Sequence, residues 1–451
     1  MYGYNGQYPG PMMKVKTGAT VHVTFNNEIE FPTTVHWHGL RLDNRFDGIP
    51  NVTQKPVKVG ESFEYEVYFP DTGIYWYHPH VLEFIQQDLG LYGNMLVQPH
   101  REDYYSPVNH EQALILDDIL IDEKGMLAYG KDAPTHALMG RFGNVMLVNG
   151  KTDYSLEVKK NDVIRFYVTN VANTRTFNMV FNGAKVKVVG SDVSKFEHEE
   201  FVQNVPIAVA ERYIVEVHYE EPGSYAITNT IQAINHFRGE FYPKVDTLGM
   251  VHVSDEETDN SHVEEFNTLR ENEDVKEDIS QYEEYFDKPV DHRIDMTLSV
   301  DGLPLPIMQS MEIDTMYVPH IEWNDSMPMM NWLSTGKQVK WILFDPETGN
   351  QNMDISWEFD KGDVVKLRVF NDPDSFHPMN HPFHIHGQRF LVLSIDGVPN
   401  SNLVWKDTAT IPVGSTVDLL VDMSNPGDWM MHCHIAEHLE SGMMFIFTVN
   451  E

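Results

Sequence analysis

One strand pattern occurs three times in this 451-residue chain, and a repeat at domain length restricts the fold more than any other feature. Thr17-Gly18-Ala19-Thr20-Val21-His22-Val23-Thr24-Phe25-Asn26-Asn27, Lys160-Asn161-Asp162-Val163-Ile164-Arg165-Phe166-Tyr167-Val168-Thr169-Asn170 and Lys361-Gly362-Asp363-Val364-Val365-Lys366-Leu367-Arg368-Val369-Phe370-Asn371 each read as a turn, then an alternating strand ending in Asn. A second turn-then-strand unit returns downstream, as Asp71-Thr72-Gly73-Ile74-Tyr75, Glu221-Pro222-Gly223-Ser224-Tyr225 and Asn425-Pro426-Gly427-Asp428-Trp429. Short strands with Gly and Pro turns predict an all-β fold, a sandwich or barrel in each copy. At about 150 residues per domain the length agrees with three. The expected boundaries are 1–106, 107–254 and 291–451, with a linker at 255–290. From Asp255 to Asp287 that linker carries fourteen Asp or Glu among 33 residues, a density that reads as a solvated, partly helical connection.

Between the two units of the first and third copies lie His36-Trp37-His38-Gly39 and His384-Ile385-His386-Gly387, where the middle copy has Val180-Phe181-Asn182-Gly183. The middle copy keeps the frame, loses the ligand histidines at this position and is expected to be structural. Two more clusters follow the same logic, His78-Pro79-His80 and His432-Cys433-His434-Ile435-Ala436-Glu437-His438, with Met443 five residues on. Together with His381, these clusters hold ten of the 22 histidines and the only cysteine. A thiolate, two imidazoles and a weak axial thioether are the donor set of a blue-copper electron-transfer centre. On a strand His432 and His434 face away from whatever Cys433 binds, so they are free to hold a second centre. The other twelve histidines, His22, His100 and His320 among them, read as ordinary surface or core residues.

On these four clusters the chain resembles the three-domain, laccase-like multicopper oxidases, and the resemblance covers nearly its whole length; the methionines of the third copy extend it to the copper-tolerance oxidases of bacteria. It implies three cupredoxin-like Greek-key domains and four coppers. Cys433, His381 and His438 become the equatorial ligands of a type 1 copper, with Met443 axial. His36 and His384 become the type 2 ligands, and His38, His78, His80, His386, His432 and His434 those of a type 3 pair. The implied reaction is one-electron oxidation of a donor coupled to four-electron reduction of dioxygen to water, outside the cytoplasm, by a chain acting as a monomer. Asp47, in Arg45-Phe46-Asp47-Gly48, matches the acid that the family places in the water channel to the type 2 copper. The chain departs from many bacterial relatives after His438, where Leu439 and then Glu440 stand in place of an immediate second acid.

Charge and composition narrow the partners. With 68 acidic against 32 basic residues the net charge is −36, which repels nucleic acid and anionic membranes and favours cations. The one cysteine leaves none for a disulfide, and no apolar run approaches the ~18 residues of a membrane span. The first residues, Met1 to Gly6, lack a basic and apolar leader. The third copy holds fourteen of the 23 methionines, including Met308, Met311, Met316, Met327, Met329 and Met330, with Met379 two before His381. Thioethers select Cu(I), so these, with Asp314 and Asp325, form a candidate cuprous-ion site, although methionine also fills irregular cores. The donor is therefore expected to be cuprous ion, or phenols and aromatic amines. Two other readings are weaker: a scaffold that has abandoned catalysis would have lost ligands, and a copper nitrite reductase resembles a shorter, two-domain chain.

Overall fold

The computed structural model describes residues 1–235, 240–305, 307–308, 321–323 and 328–451. The chain is built of three successive two-sheet units. In the last, one sheet runs Val339–Phe344, His292–Val300, Asp363–Asn371, Thr416–Met423, Arg389–Ile395, Val398–Pro399. Its second sheet runs Trp357–Asp360, Met444–Asn450, Gly427–Cys433, His381–Ile385, Thr408–Ile411. The middle unit repeats both orders strand for strand, as Val145–Val148, His110–Ile119, Val163–Asn170, Arg212–His218, Lys185–Ser191, Ser194–Val202 and as Ser155–Lys160, Glu240–Glu257, Gly223–Asn235, Phe177–Phe181, Val205–Ile207. Even the parallel pairings recur, with His110–Ile119 beside Val163–Asn170 and His292–Val300 beside Asp363–Asn371. The first unit is reduced to the sheet Met13–Lys16, Gly93–Gln98, Gly73–His78, His36–His38 and the pair Thr20–Asn26 with Ser62–Tyr68.

The repeated residues explain themselves in these sheets. The terminal Asn of each first motif clamps two passing backbones through its amide: Asn27 donates to Phe31 and Val57 carbonyls, Asn170 to Arg175 and Ile207, Asn371 to Met379 and Ile411. Each clamp fixes the loop that delivers the next strand, which in the outer units carries histidines. The aromatic residue of each second motif closes its own turn by donating to the carbonyl four residues back, Tyr75 to Asp71, Tyr225 to Glu221 and Trp429 to Asn425. Gly39, Gly183 and Gly387 all have positive φ, and a Cβ on each would collide with or crowd that aromatic ring.

The middle unit has its own apolar core, that of the last also takes in Ala137, Leu138 and Met139 of the middle unit, and the core of the first continues into the last. Tyr65, Val67 and Phe69 share one cluster with Leu391, Leu393, Trp405 and Leu420. The first and third copies are thereby pressed together, and that junction positions the histidines. The acidic stretch departs from the expectation of a plain solvated linker. All its carboxylates but Asp278 are exposed, yet the helices Val263–Asn267 and Glu273–Ser280 bury Phe266, Val275 and Ile279, and Asp278 accepts from the Trp405 indole at 2.7 Å. The strand Glu240–Glu257 also runs past the boundary expected at 254. Among the described residues no helix is long and apolar enough to cross a membrane. Met311, Met316, Met327, Asp314, Asp325 and His320 lie outside the described residues.

The clamp predicts a stability effect away from any metal. Asn170→Ala strands two buried carbonyls, and at about 1–3 kcal/mol for each the middle unit should unfold at clearly lower denaturant. Unchanged chemical denaturation of the variant would show the clamp to be dispensable.

Candidate metal centres

Strand pairing sets the histidines against one another. His36 lies opposite His78 in the first unit, and His384 opposite His432 in the third. Alternation then sends the rings of His36 and His38 to one face, and those of His384 and His386 likewise. Where the first and third units meet, the rings interleave: His38 stacks on His384 with centroids 3.8 Å apart, and His36 lies 4.0 Å from His386. Donor atoms gather within 4.8 Å of one another in His36, His38 and His384, in His38, His78 and His434, and in His80, His386 and His432. A separate group joins His381, Cys433 and His438. Every one of the ten sequence-predicted histidines falls in one of these groups, as does Cys433.

The rings are arranged as ligands are, with one nitrogen anchored and the other bare. The Nδ1 of His36, His78, His384 and His432 points at the carbonyls of Asp47, Pro79, Asp407 and Cys433 at 2.7–3.0 Å. His38 is anchored the other way, its Nε2 3.1 Å from Asp407 Oδ1 and from Thr408 Oγ1. The opposite nitrogens of His36, His38, His78 and His384 are buried with no hydrogen-bond partner, and the Nε2 atoms of His386 and His432 face each other at 3.0 Å. Such buried orphans are costly without an ion. Burial, followed for most of them by the neighbouring imidazoles, holds His38, His78, His80, His384, His386 and His434 well below their ordinary pKa, so these rings present neutral lone pairs.

Around Cys433 the donors come from one tight turn and one strand. Its Sγ lies 3.4 Å from His381 Nδ1 and 3.8 Å from His438 Nδ1. The helix Ala436–Glu440 turns the chain back so that the Met443 N–H donates to the His438 carbonyl and the Cys433 N–H to the Met443 carbonyl. Met443 itself is fully buried. Burial pushes the Cys433 thiol up, so a thiolate here requires a cation beside it. Trp341 stacks on His438 at 3.9 Å and donates to the Ala137 carbonyl of the middle unit. Met379 packs inside the third core, a position that suits filling and not an open entry site.

Asp47 is wholly buried, its carbonyl held by His36 and its Oδ2 3.0 Å from His386 Nδ1. Sequence reasoning missed its counterpart, Asp407, which touches His38 and His384 and is paired with Arg212 of the middle unit at 2.6 Å. The middle copy therefore holds the site in place while contributing to no donor group among the described residues. The charged pair Lys406-Asp407 inside the run from Leu403 to Ile411, whose other polar residues are only Thr408 and Thr410, was the available signal. Glu437, pushed up to about 7 by burial, joins the third unit to Asn173 and Thr174 of the second.

Family models for multicopper oxidases match residues 1–102, 91–244 and 320–451, and the chain belongs to that family. It is a copper-dependent oxidoreductase. A multicopper oxidase of Staphylococcus epidermidis is 25% identical over 98% of this chain and 82% of its own length. Laccase-1 of Botryotinia fuckeliana is 25% identical over 99% of this chain and 78% of that one. Among solved structures, a multicopper oxidase from Campylobacter jejuni described as a metallo-oxidase superposes with TM-score 0.74 at 22% identity, covering 99% of this chain and 86% of that one.

The buried rings predict acid sensitivity of the copper-free protein. Burial lowers His136, His381 and His432 to about 3, against about 6.5 in an unfolded chain. Between those values the unfolded state binds protons that the native state refuses, so the contribution of these rings to stability falls as pH drops below about 6.5. Glu437, raised to about 7, works in the opposite sense, so the effect is read by difference: on going from pH 7 to pH 5 the copper-free His136→Gln variant should lose less thermal midpoint than the unaltered protein, and an identical change in both would contradict this burial.

Proposed function

We propose that this chain oxidises a donor one electron at a time at a type 1 copper and reduces dioxygen to water at a trinuclear cluster. The observation carrying this reading is the set of buried imidazoles with unpartnered nitrogens, grouped apart from the Cys433 trio. Cys433, His381 and His438, together with Met443, would hold the type 1 ion, His36 and His384 the type 2 ion, and the six remaining histidines the type 3 pair. Bound there, copper supplies single-electron uptake at one centre and four-electron delivery at the other. Cys433 links the two through its neighbours His432, in the same strand, and His434, just past the strand's end. Asp47 fixes the rings of His36 and His386, and its buried Oδ1, which makes no hydrogen bond and lies 3.2 Å from His36 Nδ1, supports a part in proton supply. One chain provides every donor, so a monomer suffices; an extracytoplasmic location follows the family expectation.

For the donor we favour cuprous ion. His381 and His438 are buried, with Trp341 against them, which disfavours bulky phenols reaching a ring edge. Likeness to a protein described as a metallo-oxidase points the same way. A general laccase acting on phenols and aromatic amines is the alternative, and a non-catalytic scaffold conflicts with the intact donor groups.

Full loading should give four coppers and a blue protein. Cys433→Ser should abolish the blue band and donor oxidation while other copper is retained; a persisting blue band would refute the type 1 assignment. Replacing Met327, Met329 and Met330 with Leu should raise KM for Cu(I) and spare oxidation of a bulky phenol. If both activities fall together, or neither changes, the methionines are packing and the phenol reading takes over.

A further inference from the structure

A histidine that gives one ring nitrogen to a metal needs an acceptor for the N–H on the other, and that outer partner fixes its plane. Six of the eight histidines of the trinuclear group have one. Carbonyls serve His36, His78, His384 and His432; carboxylates serve His38, through Asp407, and His386, through Asp47. His80 and His434 are left over, and His434 Nδ1 is buried with no hydrogen-bond partner.

One carboxylate stands in reach of both. Glu83, three residues after His80, is 1% exposed, and neither of its oxygens has a hydrogen-bond partner. Its Oε1 lies 3.7 Å from His434 Nδ1 and its Oε2 3.8 Å from His80 Nδ1. Oε1 is also 3.7 Å from His78 Nδ1, which the Pro79 carbonyl already occupies. A shift of about 1 Å turns these separations into hydrogen bonds. A carboxylate buried without partners is costly, so two bare imidazole N–H groups beside it are its natural complement. The backbone holds it there: the Glu83 N–H donates to Glu440 Oε1 at 3.1 Å, tying the first unit to the helix that carries His438. Leu439, in contrast, packs with Ile49 and Met430 and offers no polar group.

We propose that Glu83 is the shared outer carboxylate of His80 and His434, a positioning residue that locks one type 3 ligand from the first unit to one from the third. This rests on the trinuclear reading above. Glu440, by holding the Glu83 backbone, serves the same end.

The test uses the copper-loaded chain, with Glu83→Met, which keeps the length and removes the acceptors, and Glu83→Gln, which keeps an acceptor oxygen. Copper retained against graded chelator and the near-ultraviolet band of the coupled pair report the trinuclear site, and the blue band reports the Cys433 site and the fold. Glu83→Met should stay blue, lose the near-ultraviolet band and hold its trinuclear copper about 10–100-fold more weakly. Glu83→Gln, which keeps an acceptor for one ring but turns an amide N–H toward the other, should fall between Glu83→Met and the unaltered protein in both signals. Should Glu83→Met fail to fold, Glu83→Asp, about 1.5 Å shorter by one C–C bond, must show the same weakening. Wild-type retention and band in Glu83→Met or, where that variant does not fold, in Glu83→Asp, or equal loss in Glu83→Gln and Glu83→Met, overturns the proposal. Failure of the unaltered protein to take up trinuclear copper would instead overturn the reading on which it rests.

Discussion

Asp407 is where the three copies of the fold meet. Its carboxylate is fully buried and pairs with the equally buried guanidinium of Arg212, from the second copy. The same side chain receives His38 from the first copy, and its backbone carbonyl receives His384 from the third. Removing one partner of such a pair leaves an uncompensated charge in the interior, a loss of about 3–5 kcal/mol, so the three units are not independent beads. The histidine groups exist because this contact and the apolar seam between Phe69 and Leu420 hold two sheets from opposite ends of the chain face to face.

Much of this was legible in the sequence because it is local. The motif-ending Asn, the Gly after each strand and the aromatic at the second turn recur in all three copies, and each has a task that needs only nearby backbone. The spacing of His36 with His38, and of His384 with His386, likewise follows from strand alternation. Cys433 announced its own chemistry, since a lone thiol among imidazoles has few other uses.

What stayed hidden depends on contacts between residues far apart in sequence. Arg212 and Asp407 are 195 positions apart, and nothing around either states that they meet. Glu83 reads as an ordinary helix-start acid until the third copy brings His434 over it. The acidic stretch misled in another way: its charge is on the outside, while Val275 and Ile279, one helical turn apart, form a short apolar stripe that charge counting passes over.

The division of the donors between the two ends of the chain also has a consequence in time. His386 follows Asp47 by 339 residues, and at 5–20 residues per second a ribosome takes roughly 20–70 s to cover that interval. Throughout it, His36, His38, His78 and His80 belong to a nascent first unit whose partner surface does not yet exist. Any ion they meet then is held by half a site, and its affinity cannot reflect the finished geometry. Selection of the metal must therefore come after synthesis, when the last strand, Met444–Asn450, has closed the third copy against the first.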